Sequence, residues 1–480
     1  MKILMVASEA TPFVKTGGLA DVLGSLPPAL VRLGDEVGVV LPKYRVAETL
    51  VNKEMGAEPV WLAMPLWVGP HSYAVDIHRL IHRGVHYFFV DCPPLYDRPE
   101  IYGDYPDNHI RFALLSQAAL GIARHIFRPA VLHTHDWQAG LVAPYLRTTF
   151  ASDPTFFGMR TLLTIHNLGY QGNFPAAAFA DLGLDPGLYH PGGLEFWGRV
   201  SFLKAGIVWS DAINTVSPTY AREIQTPEYG FGMDELLLMH SGKLSGILNG
   251  VDYEEWNPET GPFQVAHYSA RDLSGKLASK KALLAEVGLP PNTQRPLIGI
   301  VSRFADQKGF DLVQGIAAWL ADQNVAMVAL GNGQKKYEDM FRQLAALRPE
   351  KFAVRIGYDD ALSHRIEAGA DMFLMPSQYE PCGLSQIYSL RYGTVPIVRA
   401  TGGLDDTIVD TKSDQDTGFK FVEYTPAALQ EAIERALKAF ANRESWIARM
   451  RRGMVKDFSW DTSALEYQRL MLSLNVFRSL

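Results

Sequence analysis

Three stretches of the chain hold residues whose types and spacing suit an anionic ligand that carries a sugar. The first, FVKTGGLADV at 13–22, sets Lys15 ahead of Thr16, Gly17, Gly18 and Leu19, with Asp21 two residues further on. Two glycines let a backbone approach a ligand with no Cβ in the way. A helix starting there adds N–H groups and roughly half a positive charge, which favours phosphate. The same letters return at 400–407 in ATGGLDDT, as Thr401, Gly402, Gly403, Leu404 and Asp406. In SRFADQKGFD, 302–311, Arg303 closes a strand and Lys308 follows five residues later. Two cations at one strand end suit a diphosphate, whose charge neutral donors hold poorly. At ~4 Å and an effective dielectric of about 20, each such charge pair is worth about 4 kcal/mol before desolvation.

The third stretch, SQYEPCGLSQIYSL at 377–390, turns through Glu380, Pro381, Cys382 and Gly383 into a helix near Leu384. Backbone N–H groups of Leu384 and Ser385 then face the ligand beside Glu380. A carboxylate next to a phosphate site is electrostatically wrong unless it binds something else, and sugar hydroxyls fit. Cys382, with no histidine beside it in sequence, reads as a packed or lining thiol rather than a nucleophile. Each stretch also has a plainer reading: any strand-to-helix turn favours Gly-Gly, and Arg303 with Lys308 could be a solvated surface pair.

Strands and helices must place these residues. Short apolar runs read as buried parallel strands at 2–7, 36–41, 85–90, 130–135, 161–166 and 212–217. The second half repeats the rhythm at 297–303, 325–330, 352–357, 372–377 and 394–400, with helix-length stretches between. Alternating strand and helix predicts parallel sheets covered on both faces. The expected fold is therefore α/β: two Rossmann-like domains facing a deep cleft, with ligands beyond the carboxyl ends of the strands. Both TGGL loops would rim that cleft. Pro27 and Pro28 predict that the segment after Gly18 splits into two helical pieces, and Gly34 suits a helix end. The boundary is expected within HSGKLSGILNGVD, 240–252, giving domains over 1–244 and 245–456. Residues 457–480 form a last helix, with Ser463 and Glu466 as a capping box or Asp461 as a rival cap.

At 480 residues, two cores are the default. Lys plus Arg total 45 against 52 Asp plus Glu, a net charge of −7, which argues against general nucleic-acid binding. Only Cys92 and Cys382 occur, so a disulfide framework is excluded and a reducing compartment expected. The apolar run near the N-terminus is shorter than a signal-peptide core, and no segment approaches the roughly 18 apolar residues of a membrane span. A cytoplasmic protein without membrane partners is the expectation. His133 and His135 in HTHD share a strand face as metal ligands would, but no third ligand is evident. LGNGQKK, 330–336, is a broken G-x-G-x-x-G with Lys336 at the third glycine, and supports a dinucleotide site poorly.

KTGGLADV, HDW at 135–137, IHNLGYQG at 165–172, NGVD at 249–252, SRFADQKGFD and EPCGLSQIYSLRYGT occur in an order that resembles the bacterial glycogen synthases and plant starch synthases. These are ADP-glucose-dependent α-1,4-glucan glucosyltransferases of the GT-B architecture, and the resemblance runs from residue 1 to FSW at 458–460. It implies that Lys15 and the Gly17-Gly18 backbone contact the sugar-nucleotide phosphates. Arg303 and Lys308 hold the diphosphate with the N–H groups of Leu384 and Ser385, Tyr358 stacks on adenine, and Glu380 binds the donor glucose. Asp21, Asp136, His166 and Asn249 line the glucose and acceptor side. Asp136 and His166 join Glu380, Arg303 and Lys308 as catalytic residues, and Cys382, Gly383 and Thr401 join the substrate contacts. The last helix crosses back to the N-terminal domain. The resemblance implies no metal and no pyridoxal phosphate, a glycogen or malto-oligosaccharide acceptor, and retention by front-face attack rather than through a carboxylate nucleophile.

One departure concerns the wider glycosyltransferases, many of which place a second acid eight residues after the first to bind ribose. Here Tyr388 stands there, as the bacterial glycogen synthases also have no acid there. The alternatives are a glucan phosphorylase carrying pyridoxal phosphate on a lysine, and a non-catalytic sugar-binding protein, which would usually be exported.

Overall fold

The computed structural model describes residues 1–476 and divides into two compact units. Unit 1 comprises Met1–Val216, Ala221–Gly250 and the chain from Trp460 onward; unit 2 comprises Val251–Ser459 with Ser217–Tyr220.

The strands of unit 1 begin with β1 (Lys2–Val6), β2 (Glu36–Pro42), β3 (Glu58–Val68), β4 (His71–His82), β5 (Val85–Asp91), β6 (Val131–His135) and β7 (Arg160–Ile165). Three short strands follow, β8 (Asn173–Pro175), β9 (Glu195–Phe196) and β10 (Arg199–Ser201), and then β11 (Ala212–Thr215) and β12 (Leu244–Gly246). The main sheet runs β12-β11-β7-β6-β1-β2-β5-β4-β3, parallel from β12 to β5, while β8, β10 and β9 form a separate small antiparallel sheet. Ile3, Leu4, Met5 and Val6 are wholly buried, which is why β1 reads as an unbroken apolar run.

Unit 2 holds β13 (Leu297–Val301), β14 (Ala326–Gly331), β15 (Phe352–Ile356), β16 (Met372–Met375), β17 (Val395–Arg399) and β18 (Phe419–Phe421). They form one parallel sheet in the order β15-β14-β13-β16-β17-β18. In both units the strand order reverses once: between β1 and β6, and between β13 and β16. Connections on the two sides of such a reversal leave in opposite directions, and the gap they open at the strand carboxyl ends is where doubly wound sheets bind ligands. The segments leaving β1, β6, β13 and β16 carry Lys15, Asp136, Lys308 and Glu380.

Several expectations change. Pro27 and Pro28 do not split their helix, which runs unbroken over Gly18–Arg32 and ends with Gly34 in the left-handed conformation at φ 89°. Leu23, Leu26, Ala29 and Leu30 on either side of the prolines are all fully buried, so packing outweighs the two missing donors. The antiparallel hairpin β3–β4 was not expected. Its outer strand carries Pro59 and Pro65, which an edge strand tolerates. The last helix starts at Trp460, so Asp461 and Ser463 lie inside its first turn and neither is its cap. Asp461 instead pairs with Arg32 at 2.6 Å.

That last helix, Trp460–Val476, joins the unit 1 core through Trp460, Ala464, Tyr467 and Met471. The Tyr467 hydroxyl accepts a bond from Asn214 Nδ2 at 3.0 Å on fully buried β11. Among the described residues, no helix is long and apolar enough to cross a membrane. Tyr467→Phe leaves the Asn214 amide, among the described residues, with Thr164 Oγ1 at 3.5 Å as its acceptor. Chemical denaturation should show a loss of about 1–3 kcal/mol; an unchanged transition would mean that this bond does not tie down the helix.

Candidate active site

In unit 2 the segments leaving β13 and β16 are fastened to each other. Gly309 has φ 73°, and a Cβ there would lie 1.9 Å from the Pro376 carbonyl oxygen, so only glycine allows the approach. Beside it, Gln378 N–H donates to Gln307 O at 2.8 Å, and Gln307 Nε2 reaches Tyr379 O at 3.3 Å. This brings Lys308 Nζ to 2.7 Å from Glu380 Oε2, and the Ser377 hydroxyl donates to the same oxygen at 2.9 Å. Glu380 is buried, while the Lys308 side chain keeps a fifth of its surface exposed. Lysine and hydroxyl replace the water that this buried side chain gives up, which offsets the cost of its burial. Arg303, four residues before Gln307, approaches that side chain's Oε1 at 3.4 Å.

The second TGGL loop supports this arrangement from behind. Gly402 at φ 45° would place a Cβ 1.9 Å from Glu380 O, and Gly403 would place one 2.1 Å from Cys382 O. Gly403 N–H donates to Glu380 O at 3.2 Å, and Thr401 is fully buried. These glycines thus admit the chain's own backbone. Thr401, expected among substrate contacts, presents no accessible side chain and starts the helix Gly402–Thr407. Cys382 is buried and Gly383 turns at φ 69° ahead of the short helix Ser385–Arg391, with Leu384 at its start. Tyr358 stands just beyond β15 with 81% of its surface exposed, an open aromatic face. Tyr388 stacks on Trp256 at 3.7 Å with the rings 1° from parallel, and Trp256 also stacks on His364 at 3.8 Å. An aromatic stack therefore stands where wider relatives carry the second acid.

In unit 1 the first TGGL loop is used differently. A Cβ on Gly17 or Gly18 would meet no atom within 4 Å. Lys15 Nζ pairs with Asp21 at 2.8 Å, both partly exposed. The loop is held by Glu9, which sequence reasoning missed. Its carboxylate accepts from the backbone N–H of Thr16, from Gly17 N–H at 3.2 Å, and from the Tyr102 hydroxyl. Glu9 lies three residues past the end of β1, so position offered a hint, but Tyr102 is 93 residues away in sequence and no local pattern links them.

Across the β1/β6 reversal lie Asp136 and three histidines. Asp136 follows β6 with φ 56°, a conformation a non-glycine residue adopts only when its surroundings hold it there. Its Oδ1 accepts from His166 N–H at 2.7 Å. Burial pushes its carboxyl up to about 7 against the pull of backbone N–H groups from His166 and Asn167, with Glu9 adding a smaller push. The His133 and His135 rings sit 4.1 Å apart, His133 bonds Thr164 at 2.8 Å, and His135 Nδ1 lies 3.0 Å from His166 Nε2. Burial holds His133 and His135 well below the usual imidazole range. His133 and His135, which share a strand face, thus bond Thr164 and His166. Asn249 is buried, and its Oδ1 has no hydrogen-bond partner among the described residues. Such an acceptor fits a substrate hydroxyl.

Two Rossmann-like sheets, one with a lysine–carboxylate pair at its reversal and the other with buried histidine and acid there, define a glycosyltransferase of the GT-B class. Residues 2–239 match the family model described as starch synthase catalytic domain, and 286–453 match glycosyl transferases group 1. Glycogen synthase of Koribacter versatilis is 48% identical over 98% of this chain and 97% of its own length. That of Syntrophotalea carbinolica is 46% identical over 98% of each. The catalytic domain of starch synthase IV from Arabidopsis thaliana, solved with ADP and acarbose, superposes with a TM-score of 0.89 at 33% identity over 99% of both chains. Sucrose-phosphate synthase from Thermosynechococcus elongatus, 18% identical with a TM-score of 0.61, shares the fold. The chain belongs to the glycogen and starch synthase family of retaining hexosyltransferases.

Asp136 yields a test of its environment. Its folded value near 7 lies above the unfolded value of about 3.9. The folded chain binds this proton more tightly, so stability falls as pH rises from about 4 and the loss is complete above about 7. Asp136→Asn removes the ionisation. The stability of the variant relative to the native chain should rise by roughly 2–4 kcal/mol between pH 4 and pH 8. A difference independent of pH in denaturation curves would contradict the raised value.

Proposed function

We propose that this chain transfers the glucosyl group of ADP-glucose to the non-reducing end of an α-1,4-glucan, with retention of configuration and release of ADP. The observation that carries the site assignment is the Lys308–Glu380–Ser377 cluster at the β13/β16 reversal. Lys308 and Arg303, with the N–H groups of Leu384 and Ser385, hold the diphosphate. Glu380 has a second oxygen with which to accept a glucose hydroxyl, and Tyr358 offers its exposed ring to adenine. In unit 1, Lys15 and the open Gly17-Gly18 backbone serve the donor phosphates, while Asp21, Asp136, His166 and Asn249 serve the glucose and acceptor side. The glycogen synthase relatives and the ADP-bound starch synthase support this donor and acceptor.

A double displacement needs a carboxylate nucleophile at the anomeric carbon. Glu380 is a poor candidate here, since two donors occupy its Oε2 and the proposal assigns its other oxygen to a glucose hydroxyl. In the reading favoured here, the bond from C1 to the diphosphate breaks as the acceptor 4-hydroxyl bonds C1 from the same face. The hydroxyl proton passes to a leaving phosphate oxygen. The protein positions the partners and stabilises the charge that builds on ADP. No metal or pyridoxal phosphate is required, and a cytoplasmic location fits two cysteines that form no disulfide.

Radiolabelled glucose transfer to glycogen, run with ADP-glucose and UDP-glucose in turn and with a chelator present, tests the proposal. Transfer from ADP-glucose should persist without metal, and Lys308→Ala should lower kcat/KM by about a hundredfold or more. Near-native turnover in that variant would remove the diphosphate assignment. A pyridoxal phosphate absorbance band in the purified protein would favour the phosphorylase reading.

A further inference from the structure

We propose that His135 is a positioning residue for the transfer reaction: it donates from Nδ1–H to His166 Nε2 and so locks His166 as a neutral ring whose proton sits on Nδ1. This rests on the reading that His166 serves the glucose side.

The inference comes from counting partners. His135 is fully buried, its Nδ1 lies 3.0 Å from His166 Nε2, and its Nε2 has no hydrogen-bond partner among the described residues. Two proton arrangements fit that 3.0 Å contact. If His166 donates, the His135 proton sits on Nε2 as a buried donor with nothing to bond. If His135 donates, its Nε2 is a bare lone pair, and buried acceptors tolerate the lack of a partner better than buried N–H groups. The second arrangement is favoured, and it fixes the proton of His166 on Nδ1.

The surroundings hold this pair in place from both sides. The His133 ring lies 4.1 Å from that of His135, tilted by 38°, and is anchored through Nε2 to Thr164 at 2.8 Å. On the other side, the backbone N–H of His166 is held by Asp136 at 2.7 Å, so ring and backbone are both constrained. Burial disfavours protonation of His133, His135 and His166, which keeps the row neutral. His166 so arranged can donate a hydrogen bond to a substrate oxygen, but its one basic nitrogen is occupied. It therefore cannot act as the base that takes the acceptor proton, which agrees with proton transfer to the leaving phosphate.

The test is nitrogen NMR of the protein labelled at its 13 histidines, with the His166 signals assigned by their loss in His166→Gln. At pH 7 the native chain should show His166 protonated on Nδ1 only. His135→Phe, which keeps a ring but no donor, should move the His166 proton to Nε2, the intrinsic preference of imidazole. Its kcat should fall about tenfold or more, with KM for ADP-glucose changed less than about twofold. His135→Asn, whose amide puts a donor near the Nδ1 position, should recover most of the rate and the native tautomer. Native His166 protonated on Nε2 or on both nitrogens would overturn the proposal, as would a tautomer unchanged in His135→Phe. The native tautomer is read without any activity, and His166→Gln serves only to assign the signals. The predicted tautomer in a protein that transfers no glucose would therefore count against the proposed function alone.

Discussion

The arrangement of unit 2 depends on one buried carboxyl group and the two donors that satisfy it. Glu380 is satisfied by a lysine at 2.7 Å and a hydroxyl at 2.9 Å, contributed by the two segments that diverge at the β13/β16 reversal. Removing Lys308 would leave Glu380 buried without its cation, which is far more damaging than never having buried the pair, and removing the Ser377 hydroxyl would take away its second donor. Much of the local backbone serves to prevent this. Gly309 lets one segment touch the other, and Gly402 and Gly403 let the loop after β17 close against the carbonyls of Glu380 and Cys382. The pair also keeps a cation and an acid at hydrogen-bond distance, as a ligand with a diphosphate next to a sugar requires.

The repeated TGGL shows that one sequence can serve two physical ends. After β1 its glycines stand clear of other atoms, and Glu9 holds the neighbouring amides. After β17 the same letters are packed so tightly that a methyl group has no room. Glycine provides close approach in both places, but the approaching group differs: the open loop is suited to a ligand, and the packed loop receives its own chain. The two copies also differ in place: the first ends a long segment between β1 and the helix from Gly18, and the second joins β17 at once to the helix from Gly402.

What could be read from sequence was whatever depended on local pattern. Buried parallel strands such as Ile3–Val6 announce themselves as apolar runs, and cations or acids just after such runs mark strand ends where ligands bind. Lys308, Glu380 and Lys15 were singled out that way, whereas Asp136 came only from the family resemblance. Pairings between distant segments were not legible. Nothing near Glu9 indicates Tyr102, and nothing near Tyr388 indicates the stack with Trp256. The unbroken helix through Pro27 and Pro28 reflects burial that only the assembled core provides. His133 and His135 share a strand face, as the alternation of β6 predicts, but their partners come from β7 and the residue after it.

A crystal structure of the protein with ADP tests the central claim most directly. The account predicts the diphosphate within hydrogen-bond distance of both Lys308 and Arg303, with Lys308 still beside Glu380. A diphosphate bound away from these two side chains, or both of them turned out to solvent with the nucleotide present, would contradict it.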